Sequence, residues 1–199
     1  MKKKVWLLRP LPHGTDHLES FLQNGFIAVG YPVGQTFEDC SYNDIRNLLA
    51  EKEWEEGLGN VNILVKDMSI GDIVVVPSTN KKDIYFGEIT SDYIYDESVD
   101  LDTEGLGYPH QRKVKWLFDK TPLLRADLPN ELRSSLRYPG AVADLTKHTD
   151  SVNQLLNGSS FESIDNIESK AIKVVEDLLE SEDEEIRLKA AQIILSLKR

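Results

Sequence analysis

The sequence predicts an α+β fold: a small closed β-barrel with flanking short helices, followed by an α-helical hairpin. Three observations predict it. Ser69-Ile70-Gly71-Asp72-Ile73-Val74-Val75-Val76-Pro77-Ser78 passes through a short turn into Asp83-Ile84-Tyr85-Phe86-Gly87-Glu88-Ile89-Thr90, two β-branched and aromatic runs bounded by turn residues. After an acidic stretch, Gln111-Arg112-Lys113-Val114-Lys115-Trp116-Leu117 supplies a third strand pattern. Strands and short helices are mixed without a regular βαβ rhythm, which favours an α+β barrel over a doubly wound sheet.

Each element follows from its local pattern. Val5 to Arg9 has the composition of a short strand, and Leu11-Pro12-His13-Gly14 breaks it. Leu18, Phe21 and Leu22 at helical spacing mark an amphipathic helix that Asn24-Gly25 ends. Phe26 to Tyr31 is an apolar strand, closed by Pro32 and Gly34. Ser41 reads as an N-cap with Asp44 in the first turn, and Ile45, Leu48 and Leu49 form the inner stripe of a helix running toward Trp54. Gly57-Leu58-Gly59-Asn60 interrupts, and Val61 to Met68 reads as a further helix or helical turn. The three central strands follow, then a short helix from Ala126 to Leu136 and a last strand from Ala141 to Leu145. These elements assign residues 1–146 to the barrel.

Residues 147–166 read as a polar, serine-rich linker with one turn of helix at Val152 to Leu156. Beyond it, Ile167, Ala171, Ile172, Val174, Val175 and Leu178 recur at three- and four-residue spacing. Ser181-Glu182-Asp183-Glu184 reads as a capping box, and Ile186, Leu188, Ala190, Ala191 and Ile193 continue the apolar positions. Residues 167–199 are therefore expected to form a helical hairpin. Its own core is too small for independent stability, so its stripe is expected to cover the barrel, a second copy of the chain or another protein. Homodimerisation, or docking of a separate effector protein, is the preferred use.

Composition narrows the class of function. A chain of 199 residues supports one good-sized domain with an appendage. No apolar run reaches the roughly 18 residues of a membrane span, and Val5 to Leu8 after Met1-Lys2-Lys3-Lys4 is too short for a signal-peptide core. With one cysteine, Cys40, an internal disulfide is excluded and a cytoplasmic location is expected. The net charge of −11 argues against a protein that coats nucleic acid non-specifically, because that mode needs cations to displace counterions. The charge is uneven: residues 92–104 carry acids and no basic residue, whereas 112–137 hold Arg112, Lys113, Lys115, Lys120, Arg125, Arg133 and Arg137 against Asp119, Asp127 and Glu131. The basic stretch reads either as a phosphate-facing patch or as a solvated face. The acidic stretch reads either as a gate over a pocket or as a soluble hairpin loop.

Catalytic machinery is not evident. His13 and His17 flank Asp16, but Gly14 follows His13 and no further ligand is near. Cys40 and His110 form a nucleophile pair only if folding joins them, and His110 reads as a loop histidine. Gly57-Leu58-Gly59-Asn60-Val61-Asn62 imitates a dinucleotide fingerprint but lacks the third glycine and a preceding strand. No catalytic residue, metal or cofactor is expected.

A turn ending in Gly71-Asp72, a strand running to Pro77-Ser78, a strand carrying Phe86-Gly87-Glu88-Ile89 and Arg112-x-Val114-x-Trp116 followed by Thr121-Pro122-Leu123 together resemble the EVE branch of the PUA-like barrels. The resemblance is closer to the version at the N-terminus of Mrr-like restriction endonucleases, and covers roughly residues 1–146. It implies a reader that holds a nucleobase, often a modified one, in an aromatic pocket. The nuclease half of those enzymes needs an acidic pair with a lysine two residues after the second acid, which this chain does not present downstream of the barrel.

The resemblance places the pocket at Gly30, Tyr31 and Pro32, at Gly59, Asn60, Val61 and Asn62, and at Pro77, Ser78 and Thr79. Tyr31 offers a stacking face, Asn60 can donate to and accept from a base edge, and Ser78 or Thr79 adds a polar contact. Trp54 is a further candidate wall, and most of the remaining aromatic residues are expected to be core. Close relatives often carry tryptophan where Tyr31 stands. Arg112, Lys113, Lys115, Arg133 and Arg137 are the expected phosphate contacts. The expected function is thus a non-catalytic nucleic-acid reader, with DNA favoured over RNA and no membrane partner, in a prokaryotic restriction or defence system. The alternative is a protein-interaction or regulatory adaptor that keeps the barrel as scaffold and works through its acidic surface and C-terminal helices.

Overall fold

A computed structural model describes residues 3–103, 105–157, 173–181 and 183–196. They belong to two units, divided after Asn157. The first is built on a curled sheet of β1 (Val5–Leu8), β2 (Phe26–Val29), β3 (Ile73–Pro77), β4 (Asp83–Ile89), β6 (His110–Trp116) and β8 (Val142–Asp144). Their order is β2-β6-β4-β3-β1-β8, with β5 (Ile94–Tyr95) beside β6 and β7 (Leu123–Leu124) beside β4. Among these ladders β1 with β3 is parallel and the rest are antiparallel.

Both faces of the central strands are covered, which is why β1 and β3 are continuous apolar runs rather than alternating ones. On the concave face Trp6, Leu8, Val74, Val76, Val114 and Trp116 meet three helices. These are α1 (Leu18–Asn24), α2 (Tyr42–Ala50) and α3 (Leu58–Asn62). On the convex face Val5, Leu7, Ile73, Val75, Ile84 and Phe86 pack with Leu132 of α4 (Asn130–Ser135) and Val152 of α5 (Thr149–Leu156). Local signals act as expected at two helix ends. Gly25 closes α1 in the left-handed conformation, and Ser41 with Asp44 forms a reciprocal capping box on α2.

The α+β class is as expected, but the sheet is a half-barrel rather than a closed barrel. β2 and β8, the two ends of the strand order, share no ladder. The seam between them is crossed by α3, whose Asn60 Oδ1 accepts the Val142 N–H of β8 at 3.2 Å, so that a helix side chain takes a donor that closure would have given to a strand.

Three boundaries also differ from expectation. Gly57-Leu58-Gly59 does not interrupt, since α3 starts at Leu58 and continues as a π-helical turn over Ile63–Asp67. That wide turn has carbonyls to satisfy, and Arg112 of β6 reaches in to do so: Nε donates to Leu64 O at 2.6 Å and Nη2 to Val65 O at 3.0 Å. Residues 149–156, read as linker with one helical turn, form α5, because Val152 has the convex core to bury against. The acidic stretch contains β5 and a 3₁₀ turn, held by Asp96 accepting from Ser98 and by Tyr95 donating to Asp100.

In the second unit a helix at 173–178, α6, touches α7 (Glu184–Ser196). The cap of α7 is Asp183 rather than the box begun at Ser181, since Asp183 Oδ1 accepts the N–H groups of Glu185 and Ile186. The remainder of the expected hairpin and linker, 158–172, 182 and 197–199, lies outside the described residues.

The turn Ser69-Ile70-Gly71-Asp72 fastens the parallel pair. Asp72 is buried, and its carboxylate accepts from Lys4 N at 2.9 Å, from Trp6 Nε1 at 2.9 Å and from Ser69 N at 3.0 Å, tying β1 to the start of β3. Removing the acceptor orphans three donors. Asp72→Ala is expected to destabilise the fold by about 3 kcal/mol in denaturant unfolding, and a loss under about 1 kcal/mol would show that the knot matters little.

Candidate functional site

The open seam contains a cleft of about 180 Å³. One wall is the end of β2, with Ala28, Val29, Gly30 and Tyr31; the other comes from Arg9, after β1, and Ala141, before β8. Leu11, Pro12, His13, Trp54 and Glu56 complete it. β2 pairs only with β6 among the described residues, so its second edge faces the seam with backbone donors and acceptors. A cavity of about 150 Å³ is enough for one benzene ring. The cleft therefore has room for a single flat ring system and not for a large ligand.

Tyr31 is held in a conformation that it would not choose. Its φ of 73° lies in the left-handed region, where a bulky side chain is strained. Three contacts hold it. Asn60 Nδ2 donates to its hydroxyl at 3.0 Å. Its ring lies on the backbone of Gly57, where an added Cβ would stand 2.1 Å from Cε1. His110 Nε2 bonds its carbonyl oxygen at 3.0 Å.

The tautomer of His110 follows from its partners. A carbonyl only accepts, so Nε2 carries the hydrogen and Nδ1 accepts the Tyr93 hydroxyl at 2.7 Å. Tyr93 in turn accepts Phe37 N–H at 3.2 Å. His110 is fully buried, and burial drives its pKa down to about 4, so the ring is neutral and the network is fixed. Burial likewise pushes the Tyr31 hydroxyl up, the Asn60 bond opposing and Glu56 reinforcing, so the phenol stays protonated.

The other ring walls are locked too. His13, at φ 51°, donates from Nε2 to Gly107 O at 2.9 Å and meets Trp54 edge-on with centroids 5.7 Å apart. Its imidazole stands 2.9 Å from where a Cβ on Gly30 would be, so glycine is required at that point of the wall. Trp54 and Tyr31 meet at 67° with centroids 6.3 Å apart. A ring entering the cleft can stack on one and meets the other by its edge.

Of the residues the sequence pointed to, Gly30, Tyr31 and Trp54 line the cleft, and Asn60 stands behind it. Asn60 is not a free reader of a base edge: its oxygen and one N–H are engaged by Val142 and Tyr31. Pro32 and Val61 are buried, Gly59 is exposed, and Asn62 bonds Asp67. Pro77 ends β3, Ser78 caps the following turn at Asn80, and Thr79 donates to Asp16. None of these seven lines the cleft.

The cations are also distributed differently. Arg112 is buried on three carbonyls, the third being Ser91 O at 3.1 Å. Lys113 and Lys115 are exposed on β6, the former over the Phe26 ring, the latter opposite Glu88. Arg133 bonds Ala126 O and Asn130, and Arg137 is exposed just past α4. The basic group at the cleft is Arg9.

His110 is not a loop residue: it opens β6. It has no bond to Cys40, whose thiol lies 3.7 Å from Thr36 O. His17 is buried against Phe21 and Tyr108. His110 was findable, because it shares the two-residue alternation of Arg112, Val114 and Trp116, whose apolar members mark the inner face. Arg9, His13 and Glu56 gave no such signal.

The fold and cleft thus define an α+β half-barrel protein with an aromatic-walled slot at its open seam. The chain belongs to the family described as Domain of unknown function (DUF8426), whose model matches residues 10–137. That span runs from just before α1 through α4, leaving β1 and β8 outside it. A search of curated proteins finds no match.

Because burial lowers the His110 pKa from 6.5 to about 4, the neutral form belongs to the folded state and the unfolded chain binds the extra proton. Its contribution is complete above about pH 6.5 and is lost as pH falls toward 4, worth about 3 kcal/mol over that range. His110→Gln should lower stability at pH 7 and flatten the pH 6.5 to 4 slope relative to wild type, measured by urea unfolding. An unchanged slope would contradict the buried neutral assignment.

Proposed function

We propose that this protein is a non-catalytic, EVE-type PUA-like reader that holds one nucleobase, modified and carried in DNA, within a prokaryotic restriction or defence system. The observation that carries the reading is the slot itself: one ring in size, bounded by the Tyr31 and Trp54 rings at a steep angle, with strained Tyr31 held from three sides. Strain maintained by surrounding structure is a mark of functional sites. Pre-set aromatic faces suit a flat heterocycle, and the free edge of β2 supplies backbone groups for its rim. The ordered strand motifs from Gly71-Asp72 to Thr121-Pro122-Leu123 support the same family assignment. The net charge of −11 fits a reader whose affinity comes from the pocket rather than from the polymer's charge.

A second reading, a protein-interaction adaptor, draws on Val174, Leu178, Ile186 and Leu188, which are exposed apolar residues in the second unit. Leu178→Glu with Leu188→Glu separates the two, since a reader keeps its ligand affinity.

The direct test is a calorimetric screen of modified and unmodified deoxynucleosides and short oligonucleotides. Stacking contributes about 1–3 kcal/mol per base, so Trp54→Ala should weaken the best ligand by about tenfold to a hundredfold with the circular dichroism spectrum unchanged, and Trp54→Phe by less. Equal affinity in wild type and Trp54→Ala would sink the pocket.

A further inference from the structure

Arg9 brings a positive charge to a cleft whose lining also holds one carboxylate, Glu56. Arg9 Nε donates to Gly140 O at 3.2 Å, and Nη2 donates to Leu136 O at 3.2 Å and to Tyr138 O at 2.6 Å. Arg125 Nη2 donates to the same Leu136 oxygen at 3.3 Å. Two guanidinium groups therefore converge on one carbonyl at the C-terminal end of α4. Among the described residues neither forms an ion pair with a carboxylate, although Asp127 and Glu131 are near Arg125 in sequence.

Capping alone does not account for the pair. A helix end presents roughly half a negative charge, and α4 has six residues, so its carbonyls do not balance two unit charges. One arginine would satisfy the helix; the second adds repulsion. The Arg9 pKa is accordingly lowered, by burial first and by Arg125 second. Such a pair is stable at a wall of a cleft when an anion completes it, and a phosphate oxygen is the natural acceptor for a guanidinium fork. Arg9 lines the slot together with Tyr31 and Trp54, and its Nη1 bonds nothing among the described residues.

We propose that Arg9, reinforced by Arg125, binds a phosphate carried by the molecule whose ring occupies the cleft, so that the ligand is a nucleotide unit rather than a nucleoside. The identity of the ring rests on the base-reading proposal above; the anion site does not. Arg9 makes the contact and Arg125 supplies field and position. The phosphate belongs either to a free nucleoside monophosphate or to the backbone of a strand.

Four probes decide the matter on the full chain: deoxynucleosides, including C5-methylated cytidine and N6-methylated adenosine; their 5′-monophosphates; short single-stranded oligonucleotides containing them; and inorganic phosphate. The expected result is that the 5′-monophosphate or the oligonucleotide binds at least tenfold more tightly than the matching nucleoside. Arg125→Gln should lower that ratio at least threefold while leaving nucleoside affinity within twofold, and Arg125→Lys should restore most of it. A larger gain for the oligonucleotide assigns the phosphate to a strand, and a larger gain for the monophosphate to a free nucleotide. A ratio near one in wild type, or a full ratio in Arg125→Gln, overturns the proposal. If no nucleoside or nucleotide binds, the base reading fails by itself, and phosphate decides the anion site: a rise in Tm with phosphate that Arg125→Gln diminishes supports it, and no rise, or a rise that Arg125→Gln leaves unchanged, overturns it. Arg9→Lys, which keeps the charge but not the fork, guards against misfolding of the Arg125 variants and should retain part of the phosphate response.

Discussion

The amide of Asn60 is the piece on which this architecture turns. A curled sheet of six strands has two exposed ends, and such ends either pair, closing a barrel, or need another cover. Here the helix α3 lies across the gap, and one side chain reaches both rims, accepting from Val142 N–H of β8 and donating to the Tyr31 hydroxyl beyond β2. The rims are thereby held apart at a fixed spacing instead of zipping together. The cleft is the space that this spacing leaves.

What surrounds that space is rigid for reasons that lie outside it. The Tyr31 backbone is pinned by a histidine whose neutral tautomer is set by Tyr93, which is itself set by the Phe37 amide. His13 is clamped between Gly30 and Gly107. Arg112, buried under the wide end of α3, keeps the helix that carries Asn60 in register with β6. A wall built this way loses little freedom when a ligand arrives, so more of the contact energy appears as affinity.

Much of the fold was legible in sequence because its signals are local. The Gly71-Asp72 turn, the apolar runs of β3 and β4, the Ser41 and Asp44 cap and the Gly25 stop each depend on neighbouring residues. The failure to close was not legible, since it depends on a helix side chain meeting a strand that is 82 residues away. The candidate site was partly legible: Tyr31 and Trp54 stood out as aromatic residues, but which of the polar residues are already engaged is a matter of tertiary contacts. Arg112 is the instructive case. Grouped by charge it belongs with Lys113 and Lys115, whereas the alternation of β6 puts it inside with Val114 and Trp116. Arg9 and Arg125, separated by more than a hundred residues, meet only because α4 ends between them.

The claim that a flat ring enters the seam is tested most directly by nitrogen-15 NMR, because the three tryptophans differ in their surroundings. Trp6 Nε1 is bonded to Asp72 and Trp116 Nε1 to Phe21 O, both in the core, whereas Trp54 lines the cleft and its indole N–H bonds nothing among the described residues. On titration with the best-binding nucleotide the account predicts saturable shifts in the Trp54 indole and the Gly30 and Tyr31 amides, with the Trp6 and Trp116 indoles still. Binding accompanied by a stationary Trp54 signal, with shifts gathered elsewhere on the sheet, would contradict it.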